Sequence, residues 1–264
     1  MLEIRKLTIE FGDGPHATRA VDDVSLAIGA GAVVGLVGES GSGKTTLGLA
    51  VTRLLAASAR IVSGQIMFEG RDLLTCDAAS LRRVRGGRIA YVFQEPSTSL
   101  NPVMTVGAQV IEAIELHTEV RGISALARAV DLLGTVGIPS PRERLQTYPH
   151  ELSGGMKQRV MIAMAIASGP ALLIADEPTT ALDVTLERQI IRLLARLQQE
   201  LGLALLLITH NIHLVSQLAG RVAVMSQGRV VEDGPAERIL RAPQHEYTRR
   251  LLAAQPKVSV LEER

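Results

Sequence analysis

Residues 38–45 read GESGSGKT, a glycine-rich turn closed by a lysine and a hydroxyl. The spacing is that of a phosphate-binding loop, G-x-x-x-x-G-K-[ST]. Gly38, Gly41 and Gly43 let the backbone curl until several N–H groups point inward at phosphate oxygens. A helix starting here adds partial positive charge. Lys44 would reach the β- and γ-phosphates of a nucleotide as a point charge, and Thr45 would offer its hydroxyl to Mg²⁺. Glu39, Ser40, Ser42 and Thr46 complete the expected nucleotide-binding set. Such a loop needs a carboxylate for its metal, and ALLIADEP supplies one. Asp176 ends the apolar run, where a strand would leave its sheet near the loop. Adjacent carboxylates at a strand end face different directions. Asp176 is therefore expected to serve the metal, and Glu177 to act as general base on water.

These residues need elements to hold them. Leu7, Ile9 and Phe11 alternate with Thr8 and Glu10, and Val24, Leu26 and Ile28 repeat the pattern, so both stretches read as strands. Residues 32–37 predict a strand running into the loop, with a helix beginning near Gly43. Residues 88–94, 172–176 and 204–210 predict further strands. From about Ser97 to Ala167 helical spacing dominates, as in ALARAVDLLGTVG. Leu186, Ile190, Leu193, Leu194, Leu197 and Leu201 trace one face of a helix that Gly202 would cap. RVAVMSQGRVVEDG reads as a hairpin turning near Gln227 and Gly228. Strands alternating with helices imply an α/β fold with a mostly parallel sheet. The expected organisation is one domain over 1–264. Residues 1–95 and 168–240 form its core, about 96–167 an inserted helical subdomain, and about 241–264 a polar, helical tail.

Composition narrows the class. The chain has 264 residues, 47% of them hydrophobic, enough for a sizeable core. Its net charge of +1 gives no long-range pull on nucleic acid or anionic lipid. Aromatics at 2% argue against a stacking platform for single strands, so no nucleic-acid partner is expected. A single cysteine, Cys76, excludes an intramolecular disulfide and a cysteine-based metal cluster, and fits a reducing cytoplasm. MLEIRKLTIEF has no apolar run of a signal peptide. The longest apolar stretch, 160–175, is interrupted by Ser168, Gly169 and Pro170. A membrane span needs roughly 20 apolar residues in one helix.

LSGGMKQR, residues 152–159, is the decisive stretch. With the phosphate loop and ADEP it makes the chain resemble an ATP-binding-cassette (ABC) ATPase over essentially its whole length, with the motifs in the family's order. The resemblance implies a P-loop NTPase (RecA-like) core, an N-terminal antiparallel β part and the helical insert. It implies that Ser153, Gly154 and Gly155 cap the γ-phosphate of ATP held by a second ATPase subunit; Met156 replaces the commoner Gln. Gln94, at the end of RIAYVFQ, resembles the Q-loop glutamine that touches Mg²⁺ or the attacking water. Asp183 in TALD resembles the D-loop aspartate at the dimer seam. His210 resembles the switch histidine that contacts the γ-phosphate and orients Glu177. Phe11 resembles the aromatic that stacks on adenine. The family usually has Asp after the switch His, whereas this chain has Asn211.

FQEPSTSLNPVMTVGAQVIEA, ADEPTTALDVTLERQI and HEYTRRLLAAQP resemble the oligopeptide, dipeptide and nickel importer branch. That implies ATP hydrolysis powering uptake of peptides, nickel chelates or related solutes. It also implies a second ATPase subunit (paralogue or copy), two permeases, and indirectly a solute-binding protein. The location implied is peripheral, at the cytoplasmic face of the bacterial inner membrane. Pro96, Leu100, Pro102, Val103 and Met104 are expected to leave apolar side chains beside Gln94 for a permease helix. Many members of the branch bind an iron–sulfur cluster through a cysteine cluster; with Cys76 alone, none is expected here. The competing expectation is a non-transport cassette ATPase, in a phosphonate-processing complex or as a soluble mechanoprotein.

Overall fold

A computed structural model of the chain describes residues 1–12, 14, 17–180 and 182–254. The expected tail from 255 onward and Ala181 of TALD lie outside the described residues. In chain order the elements are β1 (Leu2–Phe11), β2 (Thr18–Ile28), β3 (Val33–Val37), α1 (Lys44–Val51), β4 (Ala59–Phe68), β5 (Arg71–Asp72), α2 (Ala78–Val84) and β6 (Ile89–Val92). Then follow α3 (Pro96–Ser99), α4 (Val106–His117), α5 (Gly122–Thr135), α6 (Pro141–Arg144), a 3-10 turn (Pro149–Glu151), α7 (Gly154–Ile166) and β7 (Leu172–Asp176). The chain continues through α8 (Val184–Leu201), β8 (Ala204–Thr209), α9 (Ile212–Val215), β9 (Arg221–Ser226), β10 (Arg229–Pro235), α10 (Ala236–Arg241) and α11 (Glu246–Ala254).

Two compact units divide these elements, and the division falls within β8. The first unit takes the described residues of 1–28, 32–74 and 207–254. It holds an antiparallel sheet in the order β2-β1-β4-β5. Leu2, Ile4, Leu7 and Ile9 of β1 are buried, as are Val21, Val24, Leu26 and Ile28 of β2. The same unit holds β3 parallel to β9, from Val34 opposite Arg221 to Val37 opposite Val224. The hairpin partner β10 lies on β9, antiparallel. Its turn falls where expected, with Gln227 at φ 47° and Gly228 at φ 79°. Both central residues of a tight hairpin turn need positive φ.

The second unit takes residues 29–31 and the described residues of 75–206. Here β6 and β7 run parallel, from Ile89 opposite Leu172 to Val92 opposite Ala175. Helices α4, α5 and α7 pack together. Val110, Ile114, Ala129, Leu133, Val160 and Ile162 are fully buried among them. Helix α8 starts at Asp183, whose carboxylate accepts the Leu186 N–H at 2.9 Å. It ends at Gly202 in the left-handed conformation, φ 63°. One member of its expected apolar face differs. Leu201, in the last turn, is 49% exposed, while Ile191 is 3% exposed. The 3.6-residue helix repeat carries the stripe sideways, so Ile191 takes part and the terminal leucine drops out.

The elements β4, β5, α2, α9 and α10 carry no expectation from sequence. In β4 the alternation is broken at Gly64, and most of the strand is half-exposed or exposed, with only Ile66 and Phe68 buried. Helix α2 buries only Leu81 and depends on its cap, Asp77, which accepts the Ser80 N–H at 2.8 Å. Among the described residues no helix is long and apolar enough to cross a membrane. Leu194→Ala in α8 is expected to cost about 2–5 kcal/mol in urea unfolding. Leu201→Ala is expected to cost less than about 0.5 kcal/mol, as an exposed position does.

Candidate functional site

The phosphate loop in the first unit is built around Lys44. Strand β3 ends at Val37 and α1 begins at Lys44, with Gly43 as its cap at φ 99°. Lys44 is only 4% exposed. Its Nζ donates to the Gly38 and Glu39 carbonyl oxygens, both at 2.9 Å, and lies 3.5 Å from Ser42 Oγ. Two glycines are required by close approach. A Cβ on Gly38 would stand 2.1 Å from the Met225 carbonyl oxygen, and one on Gly43 would stand 2.1 Å from the Ala20 carbonyl oxygen. The hairpin turn buttresses the loop from outside: the Gly228 N–H donates to the Ser42 carbonyl at 3.1 Å. Beside the loop is an open pocket of about 810 Å³, lined in part by Ser40, Gly41, Gln227, Arg229, His245 and Tyr247. A near-buried cation, a helix start and glycine backbone beside a polar pocket are a set that can receive an anion.

The same unit holds Phe11, half-buried at the end of β1, and His210, exposed just past β8. Asn211 caps α9. Its Oδ1 accepts the Leu214 N–H at 3.2 Å, and its own N–H donates to Thr209 Oγ1 at 3.1 Å. Asn and Asp are near-equal caps. The departure from Asp therefore keeps the turn after His210 and removes one negative charge.

In the second unit the strand β7 delivers a pair of carboxylates. Asp176 is 2% exposed and Glu177 9%. The Tyr91 phenol, on the neighbouring strand β6, donates to Asp176 Oδ2 at 2.7 Å. Burial, together with the Asp176 charge and this bond, pushes the Tyr91 hydroxyl far above its ordinary range, so it stays a donor. Glu177 sits at φ 44°, a left-handed conformation that a long side chain rarely takes. Its Oε2 accepts from Thr180 Oγ1 at 2.8 Å. Tyr91 lies within RIAYVFQ and Thr180 within ADEPTTALDVTLERQI, but nothing in the sequence gives either a role. The alternation of Tyr91 in a buried strand, one strand over from Asp176, is the only signal.

Ser153, at the start of α7, accepts the Met156 N–H at 3.4 Å, so it caps the helix. A Cβ on Gly155 would meet Leu186 Cδ2 at 3.2 Å, so packing as well as exposure of N–H groups asks for glycine there. Gln94 lies exposed just beyond β6. Gln109, 3% exposed, pins the following loop through the Asn101 N–H and the Asn101 and Met104 carbonyls. The apolar set expected beside Gln94 splits. Leu100 is 2% exposed and serves the core, while Val103 is 80% exposed. A pocket of about 450 Å³ nearby is lined by Tyr91, Phe93, Leu100, His117, Met161 and Met164, among others.

The family model described as ABC transporter matches residues 21–180. The chain belongs to the ATP-binding-cassette ATPase family. Across all of its 264 residues it is 50% identical to the dipeptide transport ATP-binding protein DppD of Escherichia coli, covering 81% of that protein. It is 50% identical over 258 residues to the peptidoglycan transport ATP-binding protein YejF of Agrobacterium fabrum, covering 97% of this chain and 47% of that one. The fold matches the ATP-binding cassette MJ0796 in a dimeric post-hydrolysis state bound to ADP and Pi. The TM-score is 0.80 at 27% identity, over 89% of this chain and 99% of that one. It also matches CbiO1 of Clostridium perfringens, with a TM-score of 0.76 at 28% identity, over 90% of this chain and 89% of that one. The α/β architecture of this ABC ATPase is thus that of a P-loop NTPase, with an N-terminal antiparallel sheet and parallel strands carrying the loop.

The raised Tyr91 hydroxyl has a sign for stability. Below about pH 10 folded and unfolded chains both keep that proton; above it only the unfolded chain loses it, so stability falls as pH rises. An alkaline absorbance titration is expected to show no tyrosinate from Tyr91 before unfolding, so wild type and Tyr91→Phe should give equal tyrosinate signals while both remain folded.

Proposed function

We propose that this ABC ATPase powers a peptide importer, as one of two ATPase subunits beneath a pair of permeases at the cytoplasmic face of the membrane. The observation that carries this is the 50% identity, over the full chain, to a dipeptide transport ATP-binding protein. The Brucella melitensis putative peptide import ATP-binding protein BMEII0863, 47% identical over 98% of this chain, supports the same cargo class.

The loop at 38–45 fits triphosphate: its lysine is already desolvated, and anionic oxygens would be stronger acceptors for it than the carbonyls of Gly38 and Glu39. Thr45, Gln94 and Asp176 would hold Mg²⁺, which when bound neutralises phosphate charge; an oxygen donor set of this kind suits it. Asp176 is kept oriented for that task by Tyr91. Glu177 is proposed as general base, with Thr180 fixing one of its carboxylate oxygens. His210 and Lys44 would stabilise charge developing on the γ-phosphate. Ser153, Gly154 and Gly155 would serve the nucleotide of the second subunit, and Asp183 would lie at that seam. The pocket lined by Tyr91, Phe93, Leu100 and Met161, and the exposed Val103 of the same segment as Leu100, would receive a permease helix.

Co-expression with the permeases tests the reading. Reconstituted complex should show ATPase stimulated by a peptide-loaded binding protein; co-purification with soluble enzyme subunits and no permease would contradict it. Within that complex, Glu177→Gln is expected to lower ATP turnover at least about 100-fold while a fluorescent ATP analogue still binds.

A further inference from the structure

Helix α11, the last described element, reaches back to the phosphate loop. The Tyr247 phenol oxygen accepts the Glu39 N–H at 2.9 Å, across 208 residues of chain. The Glu39 N–H and the Gly38 carbonyl belong to one planar peptide group, and in a trans peptide they point opposite ways. That Gly38 carbonyl is one of the two that hold Lys44 Nζ, at 2.9 Å. A single peptide unit is therefore clamped from both sides, by the lysine ammonium on one and the tyrosine hydroxyl on the other. The phenol is itself held in place. Glu232 of β10, 8% exposed, accepts the N–H groups of Gln244 at 2.9 Å and His245 at 3.0 Å. His245 Nδ1 accepts the Tyr247 N–H at 3.1 Å, and Thr248 and Leu251 anchor the helix in the core.

We infer that Tyr247 is a positioning residue for nucleotide binding: its hydroxyl fixes the orientation of the Gly38–Glu39 peptide and so presets Lys44. Without the hydroxyl the part-buried Glu39 N–H loses its acceptor, and the peptide is free to rotate toward another one. Rotation carries the Gly38 carbonyl away from Lys44. Only the unrotated fraction is then ready for phosphate, and apparent affinity drops by that fraction. This inference rests on the proposal that residues 38–45 hold the nucleotide phosphates.

The test is a titration of the purified full chain with mant-ATP and Mg²⁺. Tyr247→Phe keeps the ring and removes only the oxygen; it is expected to raise Kd about fivefold, the yield of one neutral hydrogen bond. In the assembled transporter the loss should fall on KM for ATP more than on kcat, because bound nucleotide restores the orientation. Leu251→Ala loosens the helix but keeps the hydroxyl, and is expected to lower the melting temperature with Kd unchanged. If Tyr247→Phe melts too low to titrate, Glu232→Gln, which leaves one acceptor oxygen for the two N–H groups just ahead of α11, is expected to raise Kd in its place. A wild-type Kd for Tyr247→Phe, or a Leu251→Ala Kd raised as far, overturns the inference. Lys44→Ala separates the two claims. If it abolishes binding while Tyr247→Phe has no effect, the loop still holds the nucleotide and only the role of Tyr247 falls; if it binds as wild type, both fall.

Discussion

A lysine ammonium kept almost out of water has to be solvated by the protein, and the loop around Lys44 is shaped by that requirement. A buried charge is costly unless hydrogen bonds replace its hydration. Here the Gly38 and Glu39 carbonyls turn inward to do so. Turning them inward forces the backbone into a curl, and the curl brings it against the Met225 and Ala20 carbonyls, where no Cβ fits. The loop is thus packed against the start of β2 and the end of β9, and the β9–β10 turn reaches the Ser42 carbonyl. Much of the first unit is explained as scaffold for one cation. Neutral carbonyls hold that cation less strongly than phosphate oxygens would, so the same geometry that tolerates Lys44 leaves it ready for a better ligand.

The second unit handles negative charge with the same means. Asp176 and Glu177 are both nearly buried, and each accepts from a hydroxyl, Tyr91 and Thr180 respectively. Glu177, directly after Asp176, takes a left-handed backbone at φ 44°. Strain of about 1–3 kcal/mol at a non-glycine residue persists only where the surroundings impose it. That is consistent with a residue whose placement is tied to the chemistry rather than to stability.

The parts legible in sequence were those set by local steric rules. GESGSGKT announced the loop because few residues other than glycine survive such close approach. The apolar run before Asp176 announced β7 to the residue, and Gln227 and Gly228 announced their turn. What stayed hidden depends on tertiary partners. Tyr91 looks like any strand aromatic until β6 is laid beside β7. Tyr247 reaches Glu39 over 208 residues, and no local pattern marks the pair. Leu100 and Val103 lie in one apolar segment, yet one is core and the other surface, on either side of Asn101, whose N–H the buried Gln109 holds. Asn211 departs from the family pattern in charge while keeping the cap, which only the geometry of α9 reveals.

In the proposed function the loop around Lys44 is the phosphate cradle. Amide chemical shifts of isotope-labelled chain, followed as MgATP is added, test it most directly. The largest shifts are expected on the N–H groups of residues 41–45, where phosphate oxygens would arrive. Saturable binding that leaves those amides unmoved and shifts others instead would contradict it.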